Sequence, residues 1–318
     1  MLEIVSRQTQ QLEAFRADVA SGLSRDQKTL PSRWFYDDRG CKIFEEITRL
    51  DEYYPTRTET AILRDKAGEI ADFCGEEAVL LEYGAGAGIK TEILIDELDR
   101  PRLYVPIDIA GDFLDGTVVR MRQRFPDLET LPLVADFTSD FDIPRIVPRA
   151  RRSAFFPGST IGNLDAHETK RFLRLVRRHV GWRGAAIIGV DLEKDIATLL
   201  AAYDDREGIT AAFNLNLLTR INRELGGDFS HECFAHEARW NEAESAIEMH
   251  LVSLREQVVT VDGRRFAFQA GETIHTESSR KYDVGSFVEV VGCGGWRVSA
   301  IWSDADRRFA VFGLDATW

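Results

Sequence analysis

Several polar side chains in this sequence sit directly behind short apolar runs, where a strand would end. Glu82-x-Gly84-x-Gly86-x-Gly88 follows Val79-Leu80-Leu81, Asp108 lies at the end of a run from Leu103, and Asp136-Phe137 follows Leu131 to Val134. Gly158-Ser159-Thr160-Ile161-Gly162-Asn163 follows Ser153 to Phe156, and Asp191 follows Ala185 to Val190. Each residue type suits part of a nucleotide-like ligand. Asp108 can accept both hydroxyls of a ribose, Asp136 the exocyclic amine of a base, and Phe137 can stack on that base. Lys90, just after the glycine turn, can reach a carboxylate, while Asn163 both donates and accepts and so suits a zwitterionic acceptor. Each also has a plain structural reading: helix cap, core ring, solvated lysine, turn residue. Five polar strand ends together favour a ligand cleft, because open parallel sheets bind ligands beyond the carboxyl ends of their strands. The dinucleotide fingerprint requires a further glycine at position 89, which is Ile89 here. The turn therefore suits a ligand without a pyrophosphate, or none at all.

The elements that would position these groups follow from periodicity. Ile4, Leu12, Phe15 and Val19 predict an opening amphipathic helix. Leu30 to Gly40 reads as a packed aromatic loop, and Ile43, Phe44, Ile47 and Leu50 as a short helix. Thr56-x-x-Glu59 predicts a capping box opening a helix toward Phe73. From Ala78 to Asp191, five apolar runs alternate with helical patterns, including one capped by Asp165-x-x-Glu168, which argues for a parallel α/β sheet. After Asp195 the alternation breaks. Phe213, Leu217, Ile221 and Leu225 give a helix stopped by Gly226-Gly227, followed by antiparallel strands with an Asp262-Gly263 hairpin turn. A helix from Val284 and two closing strands, Trp296–Trp302 and Arg308–Leu314, complete the pattern.

Composition narrows the partners. A net charge of −13 disfavours a nucleic-acid substrate, so the basic run Arg145 to Arg152 reads as a solvated face. Cys41, Cys74, Cys233 and Cys293 form no C-x-x-C pair, and His231 with His236 lacks supporting carboxylates, so no metal is expected. The opening Met1-Leu2-Glu3-Ile4-Val5 has no secretory apolar stretch and no run approaches membrane-spanning length, so a cytoplasmic, reduced protein without membrane contact is expected. A monomer is expected.

The Glu82 to Gly88 turn resembles the first motif of methyltransferases that use S-adenosylmethionine (SAM), and the closing hairpin is similar to the last strands of their seven-stranded Rossmann-like sheet. Five further stretches narrow the resemblance. They are Trp34-Phe35-Tyr36-Asp37, Ile47-Thr48-Arg49-Leu50-x-Glu52-Tyr53-Tyr54-Pro55-Thr56-Arg57-Thr58-Glu59, Gly158 to Asn163, Ala202-Tyr203-Asp204-Asp205 and Ile274-His275-Thr276-Glu277-x-Ser279. In this order, over nearly the whole chain, they resemble the histidine Nα-methyltransferase family of ergothioneine biosynthesis, which makes hercynine from L-histidine and three SAM.

The resemblance implies a SAM-binding domain of residues 61–195 plus 280–318. It also implies an α+β substrate-binding domain of 1–60 plus 196–279, formed by the N-terminal segment and an insertion. It implies that Tyr53, Asn163 and Tyr203 hold the substrate amino acid, that Glu277 and Ser279 read the imidazole, and that Met249 packs beside the ring. Tyr36, Gly84, Lys90, Asp108, Asp136 and Phe137 match SAM contacts; Tyr36 also lies near the methyl-transfer path, and the resemblance gives it and Asn163 the catalytic role. Tyr83 and Asp51 depart from the expected Leu or Phe and Pro, while Ser278 and Arg280 replace an expected Asn and aromatic residue. Alternatives are a tryptophan-derivative N-methyltransferase, disfavoured by Glu277 and Ser279, a SAM-binding regulator without catalysis, and a nicotinamide oxidoreductase, disfavoured by Ile89.

Overall fold

The computed structural model describes residues 2–148 and 150–317; the side chains of 2–8, 10 and 112, that of Ile4 among them, and Arg149 of the basic run lie outside the described set. The chain divides into two compact units, one of Met1–Tyr53 with Asp195–Ser278 and the other of Tyr54–Lys194 with Ser279–Trp318. α1 (Leu2–Gly22), β1 (Lys28–Thr29) and α2 (Asp38–Ile47) open the first unit. The second unit then runs α3 (Tyr54–Cys74), β2 (Val79–Tyr83), α4 (Ile89–Glu97), β3 (Leu103–Asp108), α5 (Gly111–Arg124), β4 (Leu133–Val134), β5 (Arg152–Phe156), α6 (Ala166–Val180) and β6 (Ala185–Asp191). The first unit resumes with α7 (Ile196–Tyr203), α8 (Ile209–Leu225), β7 (Phe234–Asn241), β8 (Ala246–Ser253), β9 (Gln257–Val261), β10 (Arg264–Phe268) and β11 (Thr273–Arg280). α9 (Val284–Cys293), β12 (Trp296–Ser303) and β13 (Phe309–Ala316) finish the second.

The second unit is built on a seven-stranded sheet in the order β12-β13-β6-β5-β2-β3-β4. β2, β3, β4, β5 and β6 run parallel, and β13 enters antiparallel between β6 and β12. This is the Rossmann-like layout of SAM-dependent methyltransferases. Alternation along each strand assigns its side chains to two faces. Leu81, Val105, Phe156 and Ile188 join Phe172 and Val176 of α6 and Phe287 of α9 in one core. Leu80, Tyr104, Phe155 and Ile187 join Ile62 and Ile70 of α3 and Leu94 of α4 in the other. Tyr83, the expected Leu or Phe position, is accommodated because its hydroxyl meets His179 Nδ1 at 2.8 Å.

In the first unit a four-stranded sheet, β1-β11-β8-β7, and the β9-β10 hairpin accompany α8. Phe213, Leu217, Ile221 and Leu225 form the buried stripe of α8, and Gly226 ends it in the left-handed conformation. Asp262 and Gly263 both adopt positive φ at the β9-β10 turn, as a two-residue hairpin needs.

Other expectations change. Thr56 and Glu59 form no capping box: α3 begins at Tyr54, because Pro55 is tolerated in a first helical turn, and Glu59 is fully buried. The box at Asp165 and Glu168 is present on α6. Periodicity did not show α7, β1, β7 or β11, and the expected loop at 30–40 contains a 3-10 turn at Ser32–Phe35.

Candidate active site

The carboxyl ends of the parallel strands in the second unit gather buried and half-buried carboxyl groups. At the end of β2, Gly84 and Gly86 take φ of 70° and 48°, the left-handed region that favours glycine. Gly84 N–H donates to Ile107 O at 2.8 Å, tying the turn to β3. Asp108 accepts from Gly86 N–H at 3.2 Å and from Ala110 N–H at 2.9 Å. A Cβ at Gly86 would meet nothing nearer than Gly84 O at 3.9 Å, and one at Gly84 would meet Phe137 Cε1 at 3.6 Å. The turn is therefore slim backbone beside a carboxylate, with Phe137 next to it.

Phe137 stands edge-on to Phe156 and Phe172, at 5.4 and 5.7 Å between centroids. Asp136 Oδ1 accepts from Thr138 N–H at 2.8 Å, which fixes the carboxyl group. Lys90 donates to Glu59, whose carboxylate also accepts from Gly158 N–H at 3.0 and 2.9 Å. Glu82 points inward: it accepts from Thr91 and Tyr104 hydroxyls and is fully buried, and that burial pushes its carboxyl up to about 8. Burial raises Asp108 as well, against the pull of its backbone donors.

Asn163 closes the 3-10 turn Thr160–Asn163. The turn comes close to the end of β11, since a Cβ on Gly162 would lie 2.7 Å from Arg280 O. Ser279, on that strand end, accepts from Lys281 Nζ at 2.9 Å. Lys281 pairs with Asp191 at 2.9 Å, and Asp191 in turn accepts from Tyr54 OH at 2.7 Å and pairs with Lys194 at 2.7 Å. Burial pulls Lys194 down to about 8, against the attraction of Asp191.

The first unit gathers aromatic rings. Tyr36 lies 5.7 Å from Phe44 and 5.8 Å from Phe213; Tyr53 lies 6.3 Å from Phe44 and 6.2 Å from Tyr203. Tyr203 ends α7, and its carbonyl is 2.8 Å from His236 Nε2, while His236 Nδ1 is 2.9 Å from Asn214 Nδ2. These partners define a neutral ring protonated on Nε2, and burial keeps its pKa low. Asn214 also accepts from Thr276 Oγ1 at 2.8 Å, and Met249 O lies 3.0 Å from the same hydroxyl. Glu277 and Ser279, two apart on β11, share a face by strand alternation.

A profile of the family described as histidine-specific, SAM-dependent methyltransferases matches residues 15–316. The chain belongs to that family. It is 39% identical over 304 residues to the histidine N-alpha-methyltransferase of Mycobacterium tuberculosis (strain CDC 1551 / Oshkosh), covering 94% of each chain. To the enzyme of the same name from Mycolicibacterium smegmatis (strain ATCC 700084 / mc(2)155) it is 38% identical, again over 94% of each. Ergothioneine biosynthesis protein 1 of Neurospora crassa (strain ATCC 24698 / 74-OR23-1A / CBS 708.71 / DSM 1257 / FGSC 987) is 30% identical over 205 residues, 63% of this chain and 23% of that one.

As a member of this family the protein is a methyltransferase, and the glycine turn, Asp108 and Phe137 fit SAM: the open backbone at Gly86 admits a ligand tail and Asp108 keeps lone pairs for hydroxyls. Among the described residues, no three His, Cys, Asp or Glu side chains could together hold a metal, and no helix is long and apolar enough to cross a membrane. Sequence reasoning missed Tyr54, Lys194, Lys281, Asn214 and His236, and read Glu59 only as a cap. Two signals were available: Lys281 follows Ser279 at strand spacing, and Asn214 interrupts the apolar stripe of a helix.

Proposed function

We propose that the chain transfers three methyl groups to the α-amine of L-histidine, forming hercynine, the first step toward ergothioneine. The observation that carries this reading is the match to histidine N-alpha-methyltransferases over 94% of both chains. SAM supplies an electrophilic methyl group on a sulfonium. Asp108 accepts from the ribose hydroxyls, Asp136 and Phe137 receive the adenine, and the Gly84 turn passes the amino-acid tail toward Lys90. Tyr53, Asn163 and Tyr203 hold the amino acid, Asn163 and Tyr203 at its carboxylate. Glu277 accepts an imidazole N–H, Ser279 serves the other nitrogen, and Met249 flanks the ring.

The α-ammonium has no lone pair until it loses a proton. Water held by Tyr36 and Asn163 receives it, or Tyr36 does so as its phenolate. A phenol with an ordinary pKa of ~10 is a poor base at neutral pH, so these residues act mainly by orientation and exclusion of water.

Mass spectrometry of the purified protein with SAM and L-histidine, alongside tryptophan and tyrosine, tests the reading. A gain of three methyl groups on histidine alone is expected. Transfer to another amino acid would displace the imidazole assignment, and SAM binding without transfer would leave a regulator.

A further inference from the structure

Lys281 is a buried lysine that the reaction as described does not use. Its side chain is fully enclosed, and its contacts include an ion pair to Asp191 at 2.9 Å and a hydrogen bond to Ser279 Oγ at 2.9 Å. Asp191 does not depend on it alone, because Lys194 and Tyr54 also contact that carboxylate at 2.7 Å. The bond to Ser279 is thus an additional use of a buried cation.

Its direction matters. A lysine ammonium has donors and no acceptor, whereas a serine hydroxyl has one O–H and two lone pairs. Lys281 therefore occupies a lone pair of Ser279. A charged donor there polarises the oxygen, so the O–H becomes a better donor and the remaining lone pair a poorer acceptor. The positive charge also disfavours a second cation at the hydroxyl. Resting on the reading that Ser279 meets the substrate ring, we propose that Lys281 is a positioning and specificity residue: it sets Ser279 as a hydrogen-bond donor, so that the site selects a neutral ring with an acceptor nitrogen. Glu277, two residues earlier, is acceptor-only when ionised, which completes a donor–acceptor pair matched to one neutral imidazole tautomer.

The test compares kcat/KM for L-histidine with that for the two pyrrolylalanine isomers, each of which keeps one ring N–H and lacks the acceptor nitrogen. Wild type should prefer histidine. In Lys281→Met that preference should fall about tenfold, the size of one hydrogen bond, with the loss mainly in KM for histidine. Lys281→Gln, whose amide offers an acceptor as readily as a donor, should move the ratio the same way with less change of charge packing around Asp191. In a Ser279→Ala background, Lys281→Met should change the ratio less than about twofold, because both substitutions remove one interaction. An equal loss in both backgrounds, or an unchanged preference in both lysine variants, overturns the proposal. Wild type that binds SAM and leaves histidine unmethylated would instead overturn the functional reading, so the two failures are distinguishable.

Discussion

Two carboxylates of one sheet, Glu82 on β2 and Asp191 on β6, are equally hidden from water and are handled in opposite ways. Glu82 meets only the hydroxyls of Thr91 and Tyr104, and burial pushes it up to about 8. Asp191 meets two ammonium groups, Lys194 and Lys281, in addition to the Tyr54 hydroxyl. Burial of a carboxyl group without a cation favours its protonated form, whereas ammonium groups held against a carboxylate offset the cost of burying it and tie its neighbours together. Glu82 accordingly fastens β2 to α4 and β3 beneath the glycine turn. Asp191 instead draws Tyr54, Lys194 and, through Lys281, Ser279 into one network. Glu59 is intermediate, with one cation, Lys90, and a backbone N–H at Gly158.

The largest effect should follow from removing the charge at Asp191. Asp191→Asn leaves two lysines around a neutral amide, and breaking a buried pair in this way costs about 3–5 kcal/mol. Urea unfolding should show a markedly lower midpoint with little change of slope. A shift within experimental error would mean that the lysines relax to water and that the contrast with Glu82 is superficial.

Lys90→Met tests the intermediate case. Glu59 keeps its contacts to Gly158 N–H, so about 2–3 kcal/mol is expected, less than at Asp191. SAM affinity, measured by calorimetry, should fall as well if Lys90 also serves the ligand's carboxylate. Lower stability with unchanged SAM affinity would confine Lys90 to the Glu59 pair.

The same contrast explains what could be read from the sequence. β2 and β6 were legible because both of their faces are buried and they appear as short continuous apolar runs. The glycine turn was legible because backbone geometry restricts it to one residue type. β7 was not, since seven of its eight residues are half-buried and it reads Phe-Ala-His-Glu-Ala-Arg-Trp-Asn without clear alternation. α7 was missed because it is too short and too uniformly apolar to show a helical period. Among the site groups, Asp108 and Phe137 sit beside their own strand ends. Glu59 and Gly158 are 99 positions apart, as are partners such as Tyr54 and Asp191 at 137, and local spacing carries no trace of them. The motif Tyr-Tyr-Pro-Thr-Arg-Thr-Glu signalled the family, and the fold then shows why two of its members are there: Tyr54 serves Asp191 and Glu59 serves Lys90.

The last effect, at Glu82, is set apart because it changes with pH. The folded carboxyl lies at about 8 against an ordinary 4.5, so between these values the folded state binds a proton that the unfolded state has released. Stability contributed by Glu82 is thus fully present below about 4.5 and is lost as pH rises through about 8. Glu82→Gln keeps a neutral side chain of similar shape that cannot ionise, although its amide NH2 must face one of the two hydroxyls. The variant should therefore be less stable than wild type at pH 5, and the deficit should shrink or reverse by pH 8.5. Lys194 works in the other direction: burial pulls it to about 8 from 10.5, so its cost is relieved as pH rises between those values. Measuring the Glu82→Gln difference at pH 5, 7 and 8.5 keeps the Lys194 contribution common to both proteins, so it cancels. A difference that stays constant with pH would show that Glu82 is ionised in the fold, and the distinction between the two strand-end carboxylates would then rest on geometry alone.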